Sequence, residues 1–131
     1  MTQTAQIAII GTGFSGLGMA IKLKEAGFHD FVILEQSDDI GGTWHENHYP
    51  GCACDVQSAL YSFSFEQNPN WSRMFATQPE IKAYLRHCAE KYGLIEHIQL
   101  NTHVAGARWD ERTGAWTIET CDSPELWAYM E

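Results

Sequence analysis

Residues 7–17 read Ile7-Ala8-Ile9-Ile10-Gly11-Thr12-Gly13-Phe14-Ser15-Gly16-Leu17, and the architecture of the chain is built outward from this run. Residues 6–10 are apolar and partly β-branched, which predicts a strand buried on both faces. A glycine turn follows at once. Between residues 15 and 26, Leu17, Ala20, Ile21 and Lys24 recur at helical spacing, and Gly27 stands where a left-handed C-terminal cap is wanted. Residues 31–34 form a second short apolar run closed by Glu35. Strand, tight turn, helix and strand spell one βαβ unit with a parallel strand pair, half of a doubly wound α/β fold.

At such a junction G-x-G-x-x-G has a physical reading. Gly11 permits the tight turn, Gly13 lets the backbone approach a pyrophosphate, and Gly16 lets helix and strand pack closely. The anion then rests on the helix N-terminus, where unpaired N–H groups and the positive end of the dipole converge. Ala20 and Gly27 keep the helix close to the sheet. Glu35, 19 residues after Gly16, is placed to accept hydrogen bonds from both hydroxyls of an adenosine ribose. A carboxylate there repels a 2'-phosphate, so the site prefers FAD or NAD to NADP. The βαβ unit alone does not separate FAD from NAD. The Gly41-Gly42-Thr43-Trp44 turn favours FAD, since a longer cofactor needs backbone access and a flat apolar side chain close after the ribose carboxylate; the alternative is a glycine turn followed by a core tryptophan.

From residue 36 to 76 neither a period of 2 nor one of 3.6 is sustained, which is long for a connection inside a compact domain. The stretch holds seven of the sixteen aromatics, so it is expected to be ordered and packed rather than disordered. A second helix is expected to begin at Thr77, where Thr77 and Glu80 have capping-box spacing and Pro79 lies in the first turn. Ile81, Tyr84, Leu85 and Cys88 supply its apolar face, and Gly93 ends it. Short strands are expected at residues 98–100, 104–109, 116–120 and 126–129, with a turn at 112–114.

Composition narrows the function classes. The 131 residues suffice for one domain, and 8 Lys and Arg against 17 Asp and Glu leave a net charge of −9 that repels a phosphate backbone. Nucleic acid is not an expected partner. No apolar run approaches the roughly 20 residues of a membrane span, and no leader peptide is recognisable, so a cytoplasmic location is expected. The four cysteines are expected to be reduced thiols. His45, His48, Cys52 and Cys54 invite a zinc reading, but C-x-C is poor zinc spacing and equally poor for a redox dithiol, so no metal site is expected.

Taken in order, Gly41-Gly42-Thr43-Trp44 through Asn47, Tyr49-Pro50-Gly51, Asp55, Ser58, Tyr61 and Ser64-Phe65 resemble the N-terminal FAD-binding segment of the Baeyer-Villiger and related flavin-containing monooxygenases. The likeness runs from about residue 7 to residue 120. It implies an enzyme in which NADPH reduces FAD and the reduced flavin traps O₂ as a C4a-peroxide that oxygenates a ketone or, in sister enzymes, an amine or sulfide. It implies that Gly11, Gly13, Phe14, Ser15, Gly16 and Glu35 hold the ADP half of FAD, with Gln36 and Gly42 as further cofactor-binding residues. Thr43, Trp44, Val56 and Tyr61 would line the flavin half, and Val104 would meet the adenine through its backbone. Asp55 would sit where flavin and nicotinamide meet. On its own residues Asp55 also reads as an Asx turn or a helix cap.

The expected fold is therefore α/β: a Rossmann-like βαβ unit with a parallel sheet, a long ordered aromatic loop, one further helix and a C-terminal β-meander. Residues 1–131 read as the N-terminal part of an FAD-binding domain, incomplete and without the NADPH-binding domain or a catalytic residue of its own. The isolated chain is expected to be inactive, with an unpaired sheet edge that favours self-association. The alternatives are a non-catalytic dinucleotide-binding module and part of another two-dinucleotide flavoprotein such as a disulfide reductase, which would need a redox-active dithiol.

Overall fold

The computed structural model of the chain describes residues 3–121. Strand β1 (Ile7–Ile10), helix α1 (Phe14–Glu25) and strand β2 (Phe31–Leu34) form the expected βαβ unit, with β1 and β2 parallel and Ile7 opposite Phe31. A four-residue helix α2 (Thr43–Glu46) and a 3₁₀ turn at Ser58–Leu60 punctuate the long loop. Helix α3 (Gln78–Lys91), strand β3 (Ile98–Gln99) and the strands β4 (His103–Asp110) and β5 (Ala115–Cys121) complete the described chain. The strand expected at 126–129 lies outside the described residues.

Of the strands expected near the C-terminus, β3 leaves the meander and joins the parallel sheet, pairing Ile33 with Ile98 and Leu34 with Gln99. The sheet order is β1-β2-β3, with β1 at an edge that no described strand pairs. β4 and β5 form a separate antiparallel hairpin with a bulge between Val104 and Gly106. The crossover that returns the chain to β3 is the aromatic loop plus α3, so the loop is an insertion ahead of the second crossover helix.

Both long helices end as their glycines require. Gly27 (φ 87°) gives its N–H to Lys24 O while Phe28 N–H reaches Leu23 O, a Schellman motif. Gly93 (φ 62°) repeats it, with Leu94 N–H on Ala89 O. A Cβ on Gly27 would meet nothing within 4 Å, so this glycine answers to its dihedral and not to close packing on the sheet. Thr77 is the N-cap of α3 but makes no side-chain cap bond. Glu80 turns instead to Ser72, accepting its N–H at 2.7 Å and its hydroxyl at 2.9 Å, because the loop crosses the first turn of α3 there.

The core lies on one face of the sheet. Leu17, Ala20 and Ile21 of α1 and Ile81, Leu85 and Cys88 of α3 bury against Ile9, Phe31 and Ile33. Complete burial of a Leu or Ile contributes about 2 kcal/mol, so Leu17, Ile21, Ile81 and Leu85 anchor this layer. β1 is not buried on both faces. Ala8 is exposed and Ile10 is 62% exposed, since both helices lie on the opposite side.

The loop is ordered, as its aromatics imply. Phe14 of α1 makes edge contacts with Tyr61 and Phe63 and stacks on Tyr84 of α3, while Phe63 stacks on Phe65 and Trp71 leans on Tyr84. The Tyr84 hydroxyl accepts the Phe63 N–H at 2.8 Å and donates to Glu66 O at 2.6 Å. The far end is tied to the start of α3 by Cys54 N–H on Ala76 O and Gln78 N–H on Cys52 O, both 2.9 Å.

Candidate functional site

The turn between β1 and α1 is set by two glycines with different reasons. Gly11 adopts φ 91° and gives its N–H to Leu34 O at 2.8 Å, which fixes the turn to the end of β2. A Cβ on Gly16 would stand 2.0 Å from the Gly11 carbonyl oxygen, so only glycine lets the first turn of α1 lie against the strand exit. Gly13, the N-cap of α1, has an ordinary φ of −73°. A Cβ there would meet only Gly42 Cα at 3.9 Å, leaving the approach to the helix end open. No side chain caps this end and no acidic residue lies in the first turn. Free N–H groups, a positive dipole end and open space together suit an anion.

The second glycine turn is brought against the first. Gly42 has φ 55°, and a Cβ on it would fall 3.0 Å from Gly13 Cα. This contact delivers α2 to the mouth of the first glycine turn. Trp44 is buried, and its indole N–H donates to the Tyr61 hydroxyl at 3.1 Å across an edge-on ring pair. Gln78 ties the same segment to α3 by donating its side-chain N–H to Trp44 O.

Glu35 ends β2 as a buried carboxylate. Its Oε2 accepts the Thr12 N–H at 2.8 Å and the Thr12 hydroxyl, and its Oε1 accepts the Ser37 N–H at 2.9 Å. Its backbone is held by Gln99 O and by the Thr102 N–H, which draws the start of β4 to the same place.

These elements surround a cleft of about 400 Å³. Seven of the residues expected at the cofactor line it: Gly11, Gly13, Glu35, Gln36, Gly42, Thr43 and Val104. Gly16 stands behind the turn, Ser15 is exposed on the first turn of α1, and Phe14, Trp44 and Tyr61 form the aromatic wall beneath. Asp55 and Val56 are exposed and do not line this cleft. Sequence reasoning missed Thr12, Glu46, Asn47, Thr102 and His103, which line it as well. Thr12 carried no signal, because it occupies a free position of the glycine motif.

The residues weighed as metal or redox ligands go separate ways. His45 places Nε2 2.9 Å from Asp38 and Nδ1 2.9 Å from Lys82, the Cys52 thiol donates to Asn47 O, and the Cys54 sulfur accepts the Val56 N–H. All four cysteines are free thiols. No helix among the described residues is long and apolar enough to cross a membrane.

A parallel βαβ unit with a glycine turn, an uncapped helix N-terminus and a buried carboxylate at the end of its second strand defines a dinucleotide-binding protein. The chain belongs to the family of NAD(P)-binding Rossmann-like domains, whose family model matches residues 9–77. It is similar to a Baeyer-Villiger monooxygenase of Pseudomonas aeruginosa, with 62% identity over 113 residues, 86% of this chain and 21% of that protein. Among solved structures it is similar to an oxidized steroid monooxygenase bound to NADP, with a TM-score of 0.85, 38% identity and coverage of 90% of this chain and 23% of the other. It is also similar to OTEMO in complex with FAD and NADP, with a TM-score of 0.84, 30% identity and coverage of 94% of this chain and 24% of the other. The chain thus spans about a fifth of the length of the curated relative it matches. The likeness to Baeyer-Villiger monooxygenases and the α/β fold with a parallel sheet are both borne out.

Proposed function

We propose that this chain carries the ADP-binding half of the FAD site of an NADPH-dependent flavoprotein monooxygenase that oxygenates ketones or heteroatoms. The observation that carries the reading is the cleft in which the open N-terminus of α1 at Gly13 and the buried Glu35 lie beside Val104. The N–H groups at the start of α1 take the pyrophosphate. Glu35 takes the adenosine ribose and rejects a 2'-phosphate by charge, and the Val104 backbone meets the adenine. Gly42 and Thr43 continue the site toward the flavin, with Trp44 and Tyr61 as its apolar support, Val56 on the flavin half and Asp55 on the side where flavin and nicotinamide meet. FAD, when bound, supplies the redox and oxygen chemistry, and the chain supplies binding and orientation. Alone, the chain binds FAD without oxidising NADPH.

The test is a titration of the purified chain with FAD, followed by flavin fluorescence, with Glu35→Arg as control. Saturable binding that the control loses supports the reading. A chain that circular dichroism shows to be folded and that leaves flavin fluorescence unchanged refutes it. NADPH-dependent O₂ uptake by the chain alone would overturn the statement that it is inactive by itself.

A further inference from the structure

We propose that Thr12 is a positioning residue, clamping Glu35 so that one carboxylate oxygen, Oε1, reads the ribose of the bound dinucleotide. This rests on the reading of the cleft as an ADP site. Thr12 is completely buried and lies between the two glycines of the phosphate turn. Its N–H and its hydroxyl both donate to Glu35 Oε2, and the Ser37 N–H donates to Oε1. An ionised carboxylate offers about four lone-pair directions, and protein donors occupy three of them. The remaining direction belongs to Oε1. The expectation that Glu35 takes both ribose hydroxyls thereby narrows to one.

The proton arrangement at Thr12 follows from its neighbours. A carboxylate accepts and a backbone N–H donates, so the hydroxyl gives its proton to Glu35 and accepts the Gly41 N–H, at 3.3 Å. One buried side chain thus joins the phosphate turn, the end of β2 and the start of the second glycine turn. Charge-assisted bonds of this kind are stronger than neutral ones, and a carboxylate already held in one rotamer loses less entropy when it captures a ligand. Without the hydroxyl Glu35 keeps its charge and its bonds from the Thr12 and Ser37 N–H groups, but Oε2 regains one acceptor direction, so each oxygen offers one to the ribose and the two hydroxyls become equivalent to it.

The experiment is isothermal titration of the full chain with ADP, 2'-deoxy-ADP and 3'-deoxy-ADP, repeated on Thr12→Val, Thr12→Ala and Thr12→Ser. The unmodified chain should bind the two deoxy analogues with affinities about tenfold apart, the worth of one hydrogen bond to a charged group. Thr12→Val and Thr12→Ala should bring that ratio close to one, and Thr12→Ser should keep it. A merely structural role for Thr12 would weaken both analogues together and leave the ratio alone. The alanine variant guards against crowding of the second valine methyl. An unmodified chain that binds both analogues alike, an unchanged ratio in Thr12→Val and Thr12→Ala, or a ratio lost in Thr12→Ser overturns the clamp and leaves the ADP site standing. Failure of the unmodified chain to bind ADP removes the site and the clamp together.

Discussion

Alanine at position 16 puts a methyl carbon 2.0 Å from the Gly11 carbonyl oxygen and 3.0 Å from its carbonyl carbon. Gly11 has little freedom to yield, because its positive φ and its bond to Leu34 O hold it to β2. The start of α1 must therefore retreat by roughly 1–1.5 Å to restore an ordinary contact. Intrinsic propensity argues the other way, since alanine is better than glycine inside a helix by about 1 kcal/mol. Overpacking against fixed backbone costs about 1–3 kcal/mol or more and prevails here. The expected net loss is about 2 kcal/mol, or a fall in Tm of about 6–10 °C. Gly13→Ala is the matched contrast. Its methyl meets only Gly42 Cα at 3.9 Å and its φ suits alanine, so the stability cost is that of a poorer N-cap, below about 1 kcal/mol. Its effect falls on the ligand, whose approach to the helix N–H groups it blocks, and ADP should bind about tenfold more weakly. Urea unfolding followed by tryptophan fluorescence and calorimetric ADP titration read the two effects separately. The reasoning is refuted by a Gly16→Ala chain as stable as the parent, or by a Gly13→Ala chain that binds ADP unchanged.

Asp39 joins the end of the β2 loop to α3 through Lys82 at 2.9 Å and through Arg86. Partial burial pushes its carboxyl up, but the hydrogen bonds from Lys82, Arg86 and the Ile40 N–H outweigh it and hold the group well below the usual carboxylate range. With the folded value depressed, its contribution to stability is complete above about pH 4 and is lost as pH falls further. Asp39→Asn should therefore flatten the curve of unfolding free energy against pH below about pH 4, and a variant with the parent's full slope contradicts the pairing. Tyr84→Phe leaves the Phe63 N–H without its acceptor and the Glu66 carbonyl without its donor in a nearly buried place. It should cost about 1–3 kcal/mol in urea unfolding, and a loss near zero would mean that only the ring matters.

Much of the cleft is legible in the linear chain because its determinants are local. Gly11, Gly13 and Gly16 act through a turn and a first helical turn, and Glu35 is positioned simply by ending the next strand. The Gly41–Trp44 turn was picked out by its glycines and its place close after Glu35, whereas Val104 was reached only through family likeness, since no period or spacing connects it to the first glycine turn. The capping box at Thr77 is the instructive miss. Glu80 has the correct spacing, yet Ser72 offers it two donors, and a loop crossing the helix start is invisible to a four-residue pattern. β3 was misassigned to the meander for a similar reason. Two residues carry no periodic signal, and only its neighbour β2 makes Ile98–Gln99 a strand of the parallel sheet.

The sequence by itself determined the βαβ unit, its glycine turn, the helix ends at Gly27 and Gly93, and the acidic residue that closes β2. Each is a short-range consequence of dihedral preference, periodicity or strand length. Tertiary structure alone decided that Gly42 presses on Gly13, that Phe14, Tyr61, Phe63 and Tyr84 share one aromatic wall, and that Thr12 holds Glu35. It also decided that one face of β1 stays exposed, because burial depends on which layers fold over a strand and not on how apolar the strand is. Contacts between segments 20 to 70 residues apart leave no mark in local spacing, since the chain between them sets only how far they can reach and not where they meet.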